Sequence, residues 1–159
     1  MKRKPEEFIG KMVMITASST IRLKEDYTVL EEGYVGLCVG YNRNVVEILW
    51  EEKFLSVYMD CVVGFTNHEI LSGYSFCLTG EVTYWRRPLL IKVIEFLGGS
   101  VVKSAKKATH ILRGDIKNSL KLAYAENEGI PILTKEDFFR LTEDALLIGR
   151  DIPWFVRQG

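Results

Sequence analysis

At 159 residues the chain holds one ordinary domain or two small ones. Apolar residues make up 47% and charged residues 26%, which excludes a disordered chain and fits a globular one. Lys+Arg and Asp+Glu balance at 21 each, so a broadly basic nucleic-acid coat is excluded and any anion recognition has to be local. The N-terminal MKRKPEEF is basic but is not followed by an apolar stretch, so no signal peptide is expected. No run of about 18 apolar residues exists to span a bilayer. Together these point to a cytoplasmic protein with no membrane partner. Cys38, Cys61 and Cys77 each sit in an apolar run without CxxC spacing, and only His68 and His110 accompany them. Reduced, mostly buried thiols are expected rather than a zinc site, and no cofactor is expected.

In chain order, residues 11–16, 33–40, 45–50 and 54–59 are rich in β-branched and aromatic residues and are predicted strands. Asn42-Arg43-Asn44 supplies one hairpin turn and Glu51-Glu52-Lys53 a second. Several short strands over residues 1–66 predict a small all-β domain, an SH3-like barrel. Residues 17–32 show no clear periodicity and are expected as the long loop between its first two strands.

From Leu71 the pattern changes to alternating strand and helix. Residues 74–78 form a strand that closes on Thr79-Gly80. Residues 88–97 place Leu90, Ile91, Ile94 and Leu97 at helical spacing, with Pro88 in the first turn and Gly98 as a left-handed cap. Strands follow at 100–102 and 110–112, then a helix over 117–127 with Leu120, Ala123 and Tyr124 toward the core, ended by Gly129. A fourth strand over 130–133 leads to Thr134, which caps a helix running to about Leu147, with Asp137 completing a near capping box. The order βαββαβα with short apolar strands predicts a mainly parallel four-stranded sheet flanked by helices, over a second domain of residues 71–148. Residues 149–159 are a tail whose Trp154-Phe155 pair packs on the protein or on a partner.

Thr79-Gly80, Arg87 and Lys121 are the residue types a phosphate site requires. A turn presents N–H groups, a hydroxyl donates, and fixed cations neutralise the anion. Lys121 falls near the start of a helix, where the dipole already favours an anion. Arg86 lies beside Tyr84 and Trp85. Lys103, Lys106, Lys107 and Arg113 form a second basic group, expected in a solvated loop between the second and third strands. Of these, Lys106 and Lys107 are candidates for contacts to a DNA backbone, as is Arg86. No Ser-His-Asp, HExxH or Walker A pattern occurs, and His110 opens an apolar strand where a structural role is the default. The chain is therefore read as a binding protein rather than an enzyme.

The corner residues carry a family resemblance. Leu71-x-Gly73, Thr79-Gly80, Gly98-Gly99, Thr109-His110-Ile111-Leu112 and Lys121…Ala125…Gly129-Ile130-Pro131-Ile132 together resemble a BRCT domain over residues 71–143. The nearest subgroup is that of the single BRCT domains of bacterial NAD-dependent DNA ligases and of the replication factor C large subunit. Phe138-Phe139 stand where many protein-binding members carry a tryptophan, and Arg87 falls where the replication factor C type has an arginine. The resemblance implies phosphate contacts from the Thr79 hydroxyl, the Gly80 N–H, Arg87 and Lys121. It also implies a 5′-phosphorylated DNA end as ligand, with a replication or repair protein as a further partner, at the nucleoid of a bacterium or in a nucleus. The ligase's KxDG motif is absent from the sequence. The rival expectations are a protein-interaction module without phosphate binding and an accessory subunit of a ligase-like enzyme.

Overall fold

A computed structural model describes residues 4–16, 19–22, 27–30, 33–80, 87–114 and 119–148. The chain divides into two compact units, residues 4–66 with Leu146–Ile148, and Asn67–Ala145.

The first unit is antiparallel. Its strands are β1 (Met12–Ile15), β2 (Ser19–Arg22), β3 (Tyr27–Leu30), β4 (Val35–Asn42), β5 (Val45–Trp50), β6 (Lys53–Tyr58), β7 (Val62–Phe65) and, from the far end of the chain, β12 (Leu146–Ile148). Six of them form one sheet in the order β12-β7-β1-β4-β5-β6, while β2 and β3 pair as a separate hairpin that approaches β6 without joining it. The two outer strands of the sheet do not pair among the described residues, so no closed barrel forms. Alternation along β5 and β6 turns Val46, Ile48, Leu55 and Val57 inward onto Val13, Cys38 and Met59. Phe8, carried by a 3-10 turn at Pro5–Phe8, is fully buried in the same core. The two tight turns use residues in the left-handed region, Arg43 (φ 57) in the first and Glu51 (φ 46) and Glu52 (φ 68) in the second. These primed turns match the twist of the strands they join.

Three features depart from the sequence expectation. The segment expected as a long loop contains the β2–β3 hairpin, whose four-residue strands are too short to establish an alternation. β7 was not anticipated because all four of its residues are buried, which removes the polar half of the strand pattern. The last helix stops at Thr142 instead of running to Leu147. The Thr142 hydroxyl donates to the Phe138 carbonyl at 2.9 Å, a 3-10 turn follows at Glu143–Ala145, and Leu146–Ile148 pair with β7.

The second unit has β8 (Ser75–Thr79), α1 (Arg87–Phe96), β9 (Ser100–Val102), β10 (His110–Arg113), α2 (Leu120–Glu128), β11 (Ile132–Leu133) and α3 (Lys135–Thr142). Its four strands are all parallel, in the order β11-β10-β8-β9. α1 buries Leu89, Leu90, Val93 and Ile94. Gly98 ends it at φ 92, and a Cβ there would lie 2.9 Å from the His68 carbonyl oxygen, so both conformation and close approach call for glycine. Thr134 and Asp137 form the expected capping box of α3. α2 begins at its N-cap Ser119 and turns Leu122 and Ala125 onto Cys77, Ala105 and Ile111. Of the residues expected toward the core, Tyr124 packs against this cluster partly buried, and the rest of the buried face is rotated from the expected one. Leu120 is 91% exposed and Ala123 is exposed, because the Ser119 cap fixes the phase of the helix. On the other face Phe76 meets Phe138 of α3 edge to face at 5.9 Å. Cys38 and Cys77 are buried free thiols and Cys61 is half-buried. Among the described residues no helix is long and apolar enough to cross a membrane.

Candidate functional site

Strand order places a crevice at the carboxyl end of β8. From β8 the chain crosses through α1 to β9 on one side, then returns to β10 on the other side and continues outward through α2 to β11. Two right-handed crossovers leaving neighbouring strands in opposite directions put their helices on opposite faces. The gap between β8 and β10 at their carboxyl ends is then the usual position for a ligand in an open parallel sheet.

Thr79 is the last residue of β8 and is buried at 5% exposure. It shares the parity of Cys77, so it points to the face covered by α2. Its hydroxyl donates to Ser119 Oγ at 3.3 Å, and that oxygen also accepts the Leu122 N–H at 3.1 Å. The end of β8 is thereby tied to the first turn of α2. The Thr79 carbonyl accepts the Gly114 N–H at 2.7 Å, fixing β8 against the end of β10. The backbone turns at Gly80 with φ 78, a conformation that costs glycine nothing. Arg87, the first residue of α1, donates from Nη2 to the Gly80 carbonyl at 3.0 Å. Lys121, in the first turn of α2, donates from Nζ to the Leu78 carbonyl at 3.4 Å.

Thr79, Gly80, Arg87 and Lys121 are thus gathered around the last peptide groups of β8 from three elements. Both cations rest on neutral carbonyl oxygens, bonds that a charged acceptor outcompetes by about a factor of two in strength. The N–H groups at the start of α2, of which Ser119 Oγ caps that of Leu122, add partial positive charge at the same place. This arrangement suits an anion.

Two further residues belong to the same edge. Ser119 links Thr79 to α2, and a serine immediately before a helical apolar run is a signal for this position. Arg113, expected in a solvated loop, is instead the last residue of β10 and lies in register with Thr79. It has the parity of Ile111 and therefore leaves the sheet on the α2 face. Lys106 and Lys107 are exposed in a 3-10 turn at Ala105–Lys107, within the crossover from β9 to β10. That turn sits over the α2 side of the sheet, where Ala105 packs with Cys77 and Leu122. Arg86, Tyr84, Trp85, Trp154 and Phe155 lie outside the described residues.

His110 occupies the amino end of β10, away from Thr79. Its ring lies 4.7 Å from that of Tyr74 and 6.0 Å from that of Phe76, and its Nδ1 is 2.9 Å from Thr109 Oγ1. Burial pushes its pKa below the ordinary histidine value. Among the described residues no group of three or more His, Cys, Asp or Glu side chains is placed to hold a metal.

Four parallel strands in the order β11-β10-β8-β9 with helices between them describe the class of fold. Residues 66–141 match the BRCA1 C Terminus (BRCT) domain family, and this part of the chain is a BRCT domain. The DNA ligase of Desulfitobacterium hafniense is 36% identical over 73 residues, covering 46% of this chain and 11% of that protein. The DNA ligase of Caldicellulosiruptor bescii is 37% identical over 76 residues, 47% of this chain and 11% of that one. For the DNA ligase of Christiangramia forsetii the figures are 35% over 104 residues, 64% of this chain and 15% of the relative. The chain therefore spans little more than a tenth of the length of the curated relatives it matches.

Proposed function

We propose that this chain is a non-catalytic adaptor whose BRCT domain holds a 5′-phosphorylated DNA end during replication or repair. The observation that carries this reading is the convergence of Thr79, Gly80, Arg87 and Lys121 on the carboxyl end of β8, beside the first turn of α2. A terminal phosphate monoester carries close to two negative charges near neutral pH, whereas each internal phosphodiester carries one. Two cations and a helix N-terminus match the former. In this reading the Thr79 hydroxyl turns from Ser119 toward a phosphate oxygen, and the Gly80 N–H donates to the same group. Arg87 leaves the Gly80 carbonyl to form a paired contact, and Lys121 contributes a point charge. The relatives' name, DNA ligase, supports DNA as the setting. The N-terminal sheet extends the footprint or engages a replication or repair protein.

The test compares binding of 5′-phosphorylated and 5′-hydroxyl duplexes to the full chain by fluorescence anisotropy. The phosphorylated end is expected to bind about ten- to a hundredfold more tightly, the worth of one to two charge-assisted hydrogen bonds. Equal affinities would overturn this reading and leave the protein-interaction alternative.

A further inference from the structure

We infer that Leu120 is a specificity residue of this site, lying against the 5′-terminal nucleoside when the phosphate is seated. This rests on the phosphate reading above and adds what the site requires beyond a phosphate. Leu120 is 91% exposed, more than any other large apolar residue described. On the same helix Leu122 and Ala125 are buried, and the exposed Ala123 offers only a methyl group. Folding therefore gains almost nothing from an isobutyl group at this position.

Its place explains what a ligand gains. Leu120 is the first residue of α2, between Ser119, which accepts from the Thr79 hydroxyl, and Lys121, which reaches the Leu78 carbonyl. Side chains on a helix lean toward its N-terminus, so Leu120 leans toward the space the anion would fill. A bare phosphate has no use for an apolar neighbour, since every contact it makes is polar. A 5′-phosphate on DNA is one methylene away from the deoxyribose ring, and the terminal base follows. The nucleoside thus brings apolar surface to the rim of the same pocket, and Leu120 is the side chain that covers it.

The test uses the full chain and three ends of one duplex. These are the natural 5′-phosphorylated end, the 5′-hydroxyl end, and an end whose terminal nucleotide is replaced by a phosphorylated propanediol spacer. The unmutated protein should bind the spacer end about three- to tenfold more weakly than the natural end, as expected for losing part of one leucine's apolar contact. Leu120→Ser should lose the same factor on the natural end and then show no difference between natural and spacer ends. Leu120→Met should retain the discrimination. Undiminished binding of the natural end by Leu120→Ser overturns the inference while leaving the phosphate site standing. So does an equal loss on natural and spacer ends. A phosphoserine peptide that competes better than the natural end, and loses affinity in Leu120→Ser, would also overturn the nucleoside assignment. If the unmutated protein does not distinguish phosphate from hydroxyl, the phosphate reading falls and Leu120 falls with it.

Discussion

The two units bring distant residues together by opposite routes. In the parallel sheet, neighbouring strands are joined by crossovers, so β8 and β10 end on one edge and residues from Leu78 to Lys121 meet there. In the antiparallel sheet, β4, β5 and β6 are joined by two-residue turns, and successive strand ends fall on alternate edges. A meander of that kind makes a surface but gathers no side chains at a point. Yet the antiparallel unit contains the longest strand closure among the described residues, since Phe65 of β7 stands opposite Leu146 of β12. The topology of the parallel unit gathers polar side chains at one edge, whereas the antiparallel unit uses its long return to complete a sheet.

The strongest way to break that comparison is to remove the return. Leu146 and Leu147 are 3% and 9% exposed, and Leu147 belongs to the core around Phe8 and Val62. Loss of a buried leucine costs about 2–5 kcal/mol, and the deletion also leaves β7 as an unpaired edge. Deleting residues 146–159 is therefore expected to abolish protection from hydrogen exchange across β1, β4 and β7 while the strands β8, β9 and β10 remain protected. Equal protection of both units after the deletion would mean that β12 is an accessory to the sheet. Loss in both would mean that the BRCT core needs the tail.

The second test addresses the site-building half. Arg87→Ala or Lys121→Ala should weaken binding of a 5′-phosphorylated end about ten- to a hundredfold. Among the described residues each side chain hydrogen-bonds a backbone carbonyl, so thermal stability should move little. Arg113→Ala, in register with Thr79, should follow with a smaller loss of about threefold. If Arg113→Ala alone removes the preference for phosphate, the anion sits over the end of β10 rather than at the turn after β8.

The same contrast decides what the sequence revealed. The parallel unit was legible because its connections carry their own punctuation, with Gly98 and Gly129 ending helices and Thr134 starting one. Even there the phase of α2 was missed. Leu120 and Leu122 are both apolar, and only the Ser119 cap decides which of them faces Cys77. Arg113 was misplaced because nothing local says where a short strand stops, and pairing with β8 extends it by one residue. In the antiparallel unit, β5 was legible over its full length because its run of β-branched and aromatic residues is bounded by two turn segments. β7 and β12 were hidden for the reason that makes them pair. Each is a short run without a polar face, and Leu146–Ile148 continues the apolar spacing of α3.

A third and smaller effect sharpens the difference through pH. Burial lowers the pKa of His110 in the folded protein, so the unfolded chain, near 6.5, takes up its proton first as pH falls. Stability is full above about pH 6.5 and declines as pH drops toward the folded value. The melting temperature of the BRCT unit should thus fall between pH 7.5 and 5.5, and His110→Gln should flatten part of that decline. An unchanged slope in the variant would assign the acid sensitivity to other groups.

The smallest expected effect separates the site from the surface beside it. Lys106 and Lys107 are exposed in the β9–β10 crossover, and a contact from either to a DNA backbone would be sequence-independent and screened by salt. A pocket with one terminal phosphate and a few flanking amines neutralises about two to four phosphates, so log K should fall with log salt at a slope of about −2 to −4. Replacing both lysines with alanine removes at most two of those contacts and should flatten the slope by about one to two units. The preference for a 5′-phosphate should remain, because it depends on Arg87 and Lys121 at the end of β8. Arg87→Ala should do the reverse, erasing the preference with the smaller change in slope. Loss of the preference in the lysine variant would move recognition from the carboxyl edge of β8 to the crossover, and the topological account of the site would have to be given up.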